Sequence, residues 1–261
     1  MTTKYSYSRV GCYTNCPRSF KYRYIDHIKT IEEQNADNPL FLGTALHLGL
    51  ETGNVESAIK DYKSHYFVLT DEIVNECIKL EYVIPKASAL LPNGFCEEPI
   101  EDDDFIGYID RLVPTYIDEN GVKHFDLYDY KYCAEGSVPR YLASGQLSIY
   151  KWKFEQLNED CIIDHLYFLI IPKVRIRQKK TETIHTFRAR LREELENTNI
   201  RLEEVEYDPQ KITEFLGEID KIEVEEEFPK NITRLCDYCQ YKEWCMSGDD
   251  SNILIDYENN I

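Results

Sequence analysis

The stretch Phe105-Ile-Gly-Tyr-Ile-Asp110-Arg111-Leu-Val-Pro-Thr-Tyr-Ile117, then Asp118-Glu-Asn-Gly121, then Lys123-His-Phe-Asp-Leu-Tyr-Asp129-Tyr130-Lys131-Tyr132, decides how this chain is read. Apolar residues recur with a period of two on both sides of a turn-forming segment, which predicts a β-hairpin with strands over 105–117 and 123–132. On a strand, residues two apart share a face, so Asp129 and Lys131 can reach one site. Asp110 and Asp129 stand at similar distances from the turn, so pairing brings their carboxylates together with a lysine beside them. Such a set suits a hard divalent cation. The ion would activate water and polarise a phosphoryl oxygen, while Lys131 orients the nucleophile or offsets developing charge. The tripeptide alone is a weak signal, because Asp61-Tyr62-Lys63 repeats it. That copy lies in a helically periodic segment, 55–67, where Asp61 and Lys63 splay apart as a surface charge pair.

Working outward, the upstream chain reads as helices. Ser6 or Ser8 can cap a helix running to about residue 25, since Val10, Tyr13, Phe20 and Tyr24 recur at helical spacing. Further helices are expected over 41–51, 55–67 and 71–89. In the 41–51 helix, Gly43-Thr-Ala-Leu-His47 carries a histidine among small residues that permit close packing against a sheet. Downstream, 139–157 is helical in period and places Gln146 and Tyr150 one turn apart on one face. An apolar strand follows over 161–171, then extended arms over 173–190, then an acidic helical region. This order predicts an α/β fold with a central mixed β-sheet flanked by helices. One domain is expected over 1–261, with a helical part about 1–92, a core about 93–190 and a helical, cysteine-bearing part about 191–261.

The composition bounds the function. The chain has 261 residues, 43% of them hydrophobic, and 30 Lys+Arg against 48 Asp+Glu, for a formal charge of -18. That is a folded chain with ample core, and its overall charge opposes a polyanion. The charge is uneven, however. Lys173, Arg175, Arg177, Lys179, Lys180, Arg188, Arg190 and Arg192 are opposed only by Glu182, and Arg18, Lys21 and Arg23 alternate with aromatics. Such local stripes can contact phosphates. No apolar run is long enough to span a bilayer, and the opening residues lack the apolar core of a signal peptide. A cytoplasmic protein is expected.

Nine cysteines, an odd number, do not form a simple disulfide framework. Cys236, Cys239 and Cys245 follow a Cys-x2-Cys-x5-Cys pattern that offers three soft ligands in one short segment. A fourth can come from Cys12 or Cys16. By spacing, zinc and an iron–sulfur cluster are equally served.

Taken in order, Ser6-Tyr-Ser8 with Cys16-Pro17-Arg18-Ser19-Phe20, the Gly43–His47 segment, Gly107–Arg111, Asp129–Lys131, Gln146–Tyr150 and the late cysteines resemble the RecB-like branch of the PD-(D/E)XK nuclease superfamily. CRISPR-associated and phage single-domain exonucleases belong to that group. The resemblance implies a restriction-endonuclease-like core. His47, Asp110 and Asp129, with the Tyr130 carbonyl, would bind Mg2+ or Mn2+. Asp110, Asp129, Lys131, Gln146 and Tyr150 would form the catalytic set, with Gln146 and Tyr150 as a Gln-x-x-x-Tyr element near DNA. Many relatives carry Glu where this chain has Asp129, a shorter ligand. The resemblance also implies that Cys16, Cys236, Cys239 and Cys245 hold a [4Fe-4S] cluster joining the N- and C-terminal segments, with zinc as the alternative. The function it implies is a metal-dependent deoxyribonuclease, an exonuclease on single strands or ends, with a protein partner possible for delivering DNA. The other class left open is a non-catalytic, metal-stapled adaptor that binds a protein through its acidic surface.

Overall fold

The computed structural model describes residues 4–254, which divide into two compact units. The larger comprises residues 34–100 and 108–208, and the smaller residues 4–33, 101–107 and 209–254. Among the described residues, no helix is long and apolar enough to cross a membrane.

The larger unit is built on one five-stranded sheet. Its strands β2 (Phe95–Glu101), β3 (Ile106–Ile117), β4 (Lys123–Cys133), β5 (Cys161–Pro172) and β6 (Arg201–Val205) lie in sequence order across it. The hairpin forms as its alternation predicts. β3 and β4 pair antiparallel from Arg111–Tyr128 to Ile117–Lys123. Asp118 caps the turn by accepting from the Asn120 and Val122 amides, and Gly121 supplies the left-handed residue (φ 84°). β4 and β5 pair parallel, and β6 returns antiparallel, so the sheet is mixed. The parallel pair needs a crossover, which α7 (Gln146–Leu157) provides. β2 and β6 were not legible in the sequence: β2 has a half-exposed, acid-rich face, and β6 lies in a segment read as acidic helix.

Helices cover both faces. α3 (Pro39–Thr52), α4 (Val55–Ser64), α5 (Asp71–Ser88) and α8 (Ile184–Glu196) share one hydrophobic core with Tyr128, Tyr130, Leu169 and Ile171. Each fully buried leucine here, such as Leu46 or Leu80, stabilises the fold by about 2 kcal/mol. On the other face, α7 sets Phe154 against Phe125. In α3, Gly43 has open space around it, contrary to the expected close packing. It is Gly49 whose missing side chain matters, because a Cβ there would meet Ile84 at 2.6 Å. The second Asp-Tyr-Lys lies within α4, where Tyr62 is buried and Asp61 pairs with His65 rather than Lys63.

Two expectations about the chain beyond β4 are corrected. The segment 139–157 breaks into α6 (Val138–Leu142) and α7, parted at Gly145. The basic segment 173–190 is not extended throughout: after β5 it runs outside any strand to a turn at residues 180–181, and Thr183 then caps α8, so Arg188, Arg190 and Arg192 ride on a helix.

The smaller unit contains α1 (Tyr7–Asn15), α2 (Pro17–Phe20), a π-turn over Lys21–Ile25, α9 (Gln210–Val224), α10 (Lys242–Ser247) and a two-stranded sheet of β1 (Lys29–Thr30) with β7 (Ile253–Leu254). Ser6 caps α1 as expected, accepting from the Arg9 amide at 3.1 Å. The helix does not run unbroken to residue 25. Cys16 turns extended (φ -163°, ψ 107°) because the following Pro17 ring excludes the helical conformation there.

Candidate active site

The site lies where the β3–β4 ladder ends. Beyond the Arg111–Tyr128 pair the backbone of β3 no longer serves β4; instead, Asp110 Oδ2 accepts the Tyr130 amide at 2.6 Å. A carboxylate thus stands in for a carbonyl at the mouth of the hairpin. Arg111 holds the fork from behind. It is buried, with its guanidinium donating to the Tyr130 hydroxyl, the Pro92 carbonyl and the Leu50 carbonyl.

Two adjoining groups of side chains form there. In the first, α3 delivers His47, whose Nδ1 is 3.5 Å from Asp110 Oδ1 and 3.6 Å from Glu97 Oε1. These three ligand atoms all lie within 4.8 Å of one another, and among the described residues they are the one such trio of His, Cys, Asp or Glu. In the second group, Lys131 Nζ lies 2.5 Å from Asp129 Oδ2 and donates to Gln146 Oε1 at 2.9 Å. The Gln146 amide nitrogen closes the triangle on Asp129 Oδ1 at 2.7 Å. The lysine approach leaves Asp129 Oδ2 buried without a well-directed hydrogen bond. The ammonium also sits 5.4 Å from the Tyr141 ring centre and 5.5 Å from that of Phe168.

The electrostatics follow from this crowding. Burial pushes the Asp110 carboxyl up to about 7, with the charge on Asp129 adding to the effect and His47 opposing it. Burial pulls His47 down, but its hydrogen bond with Glu97 and the charges of Asp110 and Asp129 outweigh that and raise it. Lys131 likewise loses to burial and gains more from Asp129, so its ammonium is held charged. His47, Glu97 and Asp110 could hold a divalent ion, which would remove the repulsion between the clustered carboxylates. The donors are hard oxygens and an imidazole, which fit Mg2+ or Mn2+.

The structure therefore brings His47 and Asp110 together and sets Asp129, Lys131 and Gln146 beside them. The ligand atoms of Asp129 are not in the first trio, because Lys131 and Gln146 hold them. Tyr150 is buried one turn behind Gln146 on α7. Tyr130 offers its amide to Asp110, and its ring meets His47 at an interplanar angle of 64° with 5.4 Å between centres. Glu97 escaped the sequence reading because no strand was expected near it. Its backbone is left-handed (φ 50°), unusual for a glutamate, and such strain is typical of a functional position.

Among the described residues, the cysteines of the smaller unit form no disulfide. Asn231 links two of them: its amide donates to Cys16 Sγ at 3.5 Å, and its carbonyl accepts from Cys236 Sγ at 3.8 Å. The Cys239 amide donates to the Cys236 carbonyl at 3.2 Å. Cys12 instead turns to Ser19 Oγ, 3.9 Å away. Burial raises both the Cys12 and Cys239 thiols.

Over residues 4–246 the chain matches the family model of the PD-(D/E)XK nuclease superfamily. A search of curated proteins gives no match.

Proposed function

The chain belongs to the PD-(D/E)XK nuclease superfamily, and on that premise we propose that it is a divalent-metal-dependent deoxyribonuclease of the RecB-like branch, similar to CRISPR-associated and phage exonucleases. It hydrolyses phosphodiester bonds as an exonuclease at DNA ends or on single strands, with residues 1–261 acting as one nuclease domain. The observation that carries this proposal is the meeting of His47 and Asp110 within 3.5 Å, beside a lysine paired with Asp129.

Bound Mg2+ or Mn2+ would supply Lewis-acid polarisation and a water of lowered pKa. His47, Asp110 and Glu97 would hold the ion, with Asp129 and the Tyr130 carbonyl completing the set. Lys131, kept charged by Asp129, orients the attacking water and offsets charge building on the phosphate. Gln146 fixes the Lys131 and Asp129 rotamers, and Tyr150 anchors the helix that presents Gln146 toward DNA. Preorganisation of this kind removes the reorganisation that free side chains would need.

In the smaller unit, Cys16, Cys236, Cys239 and Cys245 form a [4Fe-4S] site, or a zinc site in its place. The shared Asn231 contact favours Cys16 over Cys12 as the fourth ligand. Thiol ligands of this kind suit a reducing cytoplasm, and the acidic surface suits a protein partner that delivers DNA.

The test is digestion of end-labelled single- and double-stranded DNA with Mg2+, Mn2+ or EDTA. Cleavage should need metal and vanish in Lys131→Ala and Asp110→Ala, both remaining folded by circular dichroism. Undiminished cutting by either variant would overturn the assignment.

A further inference from the structure

Beyond the catalytic set, the basic segment that follows β5 has a construction of its own. β4 and β5 run parallel, and the segment leaves from their carboxyl ends, where Asp129 and Lys131 also stand. The Lys173 amide donates to the Cys133 carbonyl at 2.8 Å, so the chain is still tied to β4 at that point. Lys131 faces Ile170 across the pair, which puts Lys173 roughly 10 Å further along at strand rise. From there the burial alternates. Val174 and Ile176 pack against the hydrophobic core, while Arg175 and Arg177 are exposed. Lys179 and Lys180 extend the exposed row.

The one acid of the segment is not available to neutralise this row. Glu182 Oε1 accepts from Arg190 Nε at 2.8 Å, and its Oε2 accepts from the second Arg190 nitrogen at 2.8 Å and from the Lys179 amide at 2.7 Å. That same arginine nitrogen donates to the Arg177 carbonyl at 2.9 Å, and the Gln178 side-chain Nε2 donates to the Glu182 backbone carbonyl at 2.8 Å. Glu182 and Arg190 thus spend their charges on each other while fixing the backbone between residues 177 and 182. Arg188 is also spent, on Asp71 and Asn75. Of the eight cations of the sequence stripe, Arg188 and Arg190 are therefore paired on α8, Lys173 lies over the Tyr132 ring, Arg192 is exposed on α8, and Arg175, Arg177, Lys179 and Lys180 are presented on the arm.

We infer that residues 173–182 form a clamped cationic arm on which Arg175, Arg177, Lys179 and Lys180 hold the sugar–phosphate backbone of the nucleic-acid strand next to the metal site, with Glu182 and Arg190 as positioning residues. The inference depends on the DNA substrate proposed above. In a chain of formal charge -18, an exposed row of four cations fixed by a neutral clamp is a locally positive surface matched to a polyanion. Phosphodiester backbone provides that match, since each phosphate neutralised releases counterions.

Binding in EDTA separates this inference from catalysis. The probe is fluorescein-labelled dT20, followed by anisotropy between 50 and 200 mM salt. Arg175→Gln/Arg177→Gln should weaken binding about tenfold and flatten the salt slope by about 1.4, two contacts at roughly 0.7 each. Both side chains are exposed, so the fold should survive, and Arg175→Lys/Arg177→Lys should keep the slope. Glu182→Gln is the decisive variant. It removes a negative charge, so bulk electrostatics alone would tighten binding; loss of the clamp should weaken it severalfold. Unchanged affinity and slope in the double glutamine variant would overturn the arm, as would tighter binding by Glu182→Gln. Unchanged dT20 binding with lost binding of a polyglutamate peptide would assign the row to an acidic protein instead and also overturn it. If no metal supports cleavage yet the arm variants lose dT20, the nuclease proposal fails while the arm stands.

Discussion

Gln146 and Asp129 are joined by a 2.7 Å hydrogen bond from the glutamine amide to the carboxylate, while the glutamine carbonyl takes Lys131. One side chain from α7 therefore sets the positions of both charged groups on β4. Gln146→Leu should leave the fold intact and lower kcat by about 10- to 100-fold, the scale of a lost orienting contact. Gln146→Glu adds a fourth carboxylate to Glu97, Asp110 and Asp129 and should be at least as damaging, whereas a mere packing role would tolerate it. Single-turnover cleavage with saturating Mn2+ is the measurement.

Glu97 tests strain and ligation separately. Its left-handed backbone disfavours any residue with a Cβ, so Glu97→Gly should be more stable than Glu97→Ala by about 1 kcal/mol. Both should weaken Mn2+ binding in calorimetry, because neither keeps the carboxylate beside His47. Equal Mn2+ affinity in wild type and both variants would remove Glu97 from the ligand set.

Asp110 makes metal-free stability depend on pH. Its folded value of about 7 lies above the unfolded carboxylate range, mainly through burial. The stability contributed by its protonated form is fully present below about pH 4 and is lost as pH rises through about 7. Asp110→Asn, which keeps an oxygen for the Tyr130 amide, should therefore melt higher than wild type at pH 8 in EDTA. The gap should shrink toward pH 5. Parallel melting curves at both pH values would refute the buried-carboxyl account.

Cys236→Ala and Cys245→Ala should lower the thermal stability of the purified protein, because a ligand bound only by the native state stabilises it. Both should also lose the visible absorbance of a thiolate-bound iron cluster. Cys12→Ala should keep it, since Cys12 turns to Ser19 while Cys16 shares Asn231 with Cys236. A colourless wild type that contains zinc would decide for the alternative metal.

Much of the candidate site's hairpin was legible because hairpin register is a local matter. The turn at Asp118–Gly121 and the two-residue period fix which residues oppose one another, and Asp110 meets the Tyr130 amide as a result. The copy at Asp61–Lys63 was separable for the same reason, since a helical period turns those side chains apart. The break at Cys16 was also within reach, as a residue ahead of proline leaves the helix. Other features had no local signature. A glutamate gives no sign that its backbone will be left-handed, and β6 sits in a run of acids that favours helix as readily as strand.

By itself, the sequence determined the hairpin, the alternation of helices and strands around it, and the acids and lysine that the hairpin gathers. Turn chemistry and side-chain period act over a few residues and need no distant partner. Only the tertiary structure decided that Glu97 would stand beside His47, that Gln146 would occupy Asp129, and that the cations would separate into a clamp and a presented row. Each of those depends on which helix covers which face of the sheet and on the parallel pairing of β4 with β5. These are long-range packing choices, settled by burying the whole core at once rather than by the preferences of any one segment.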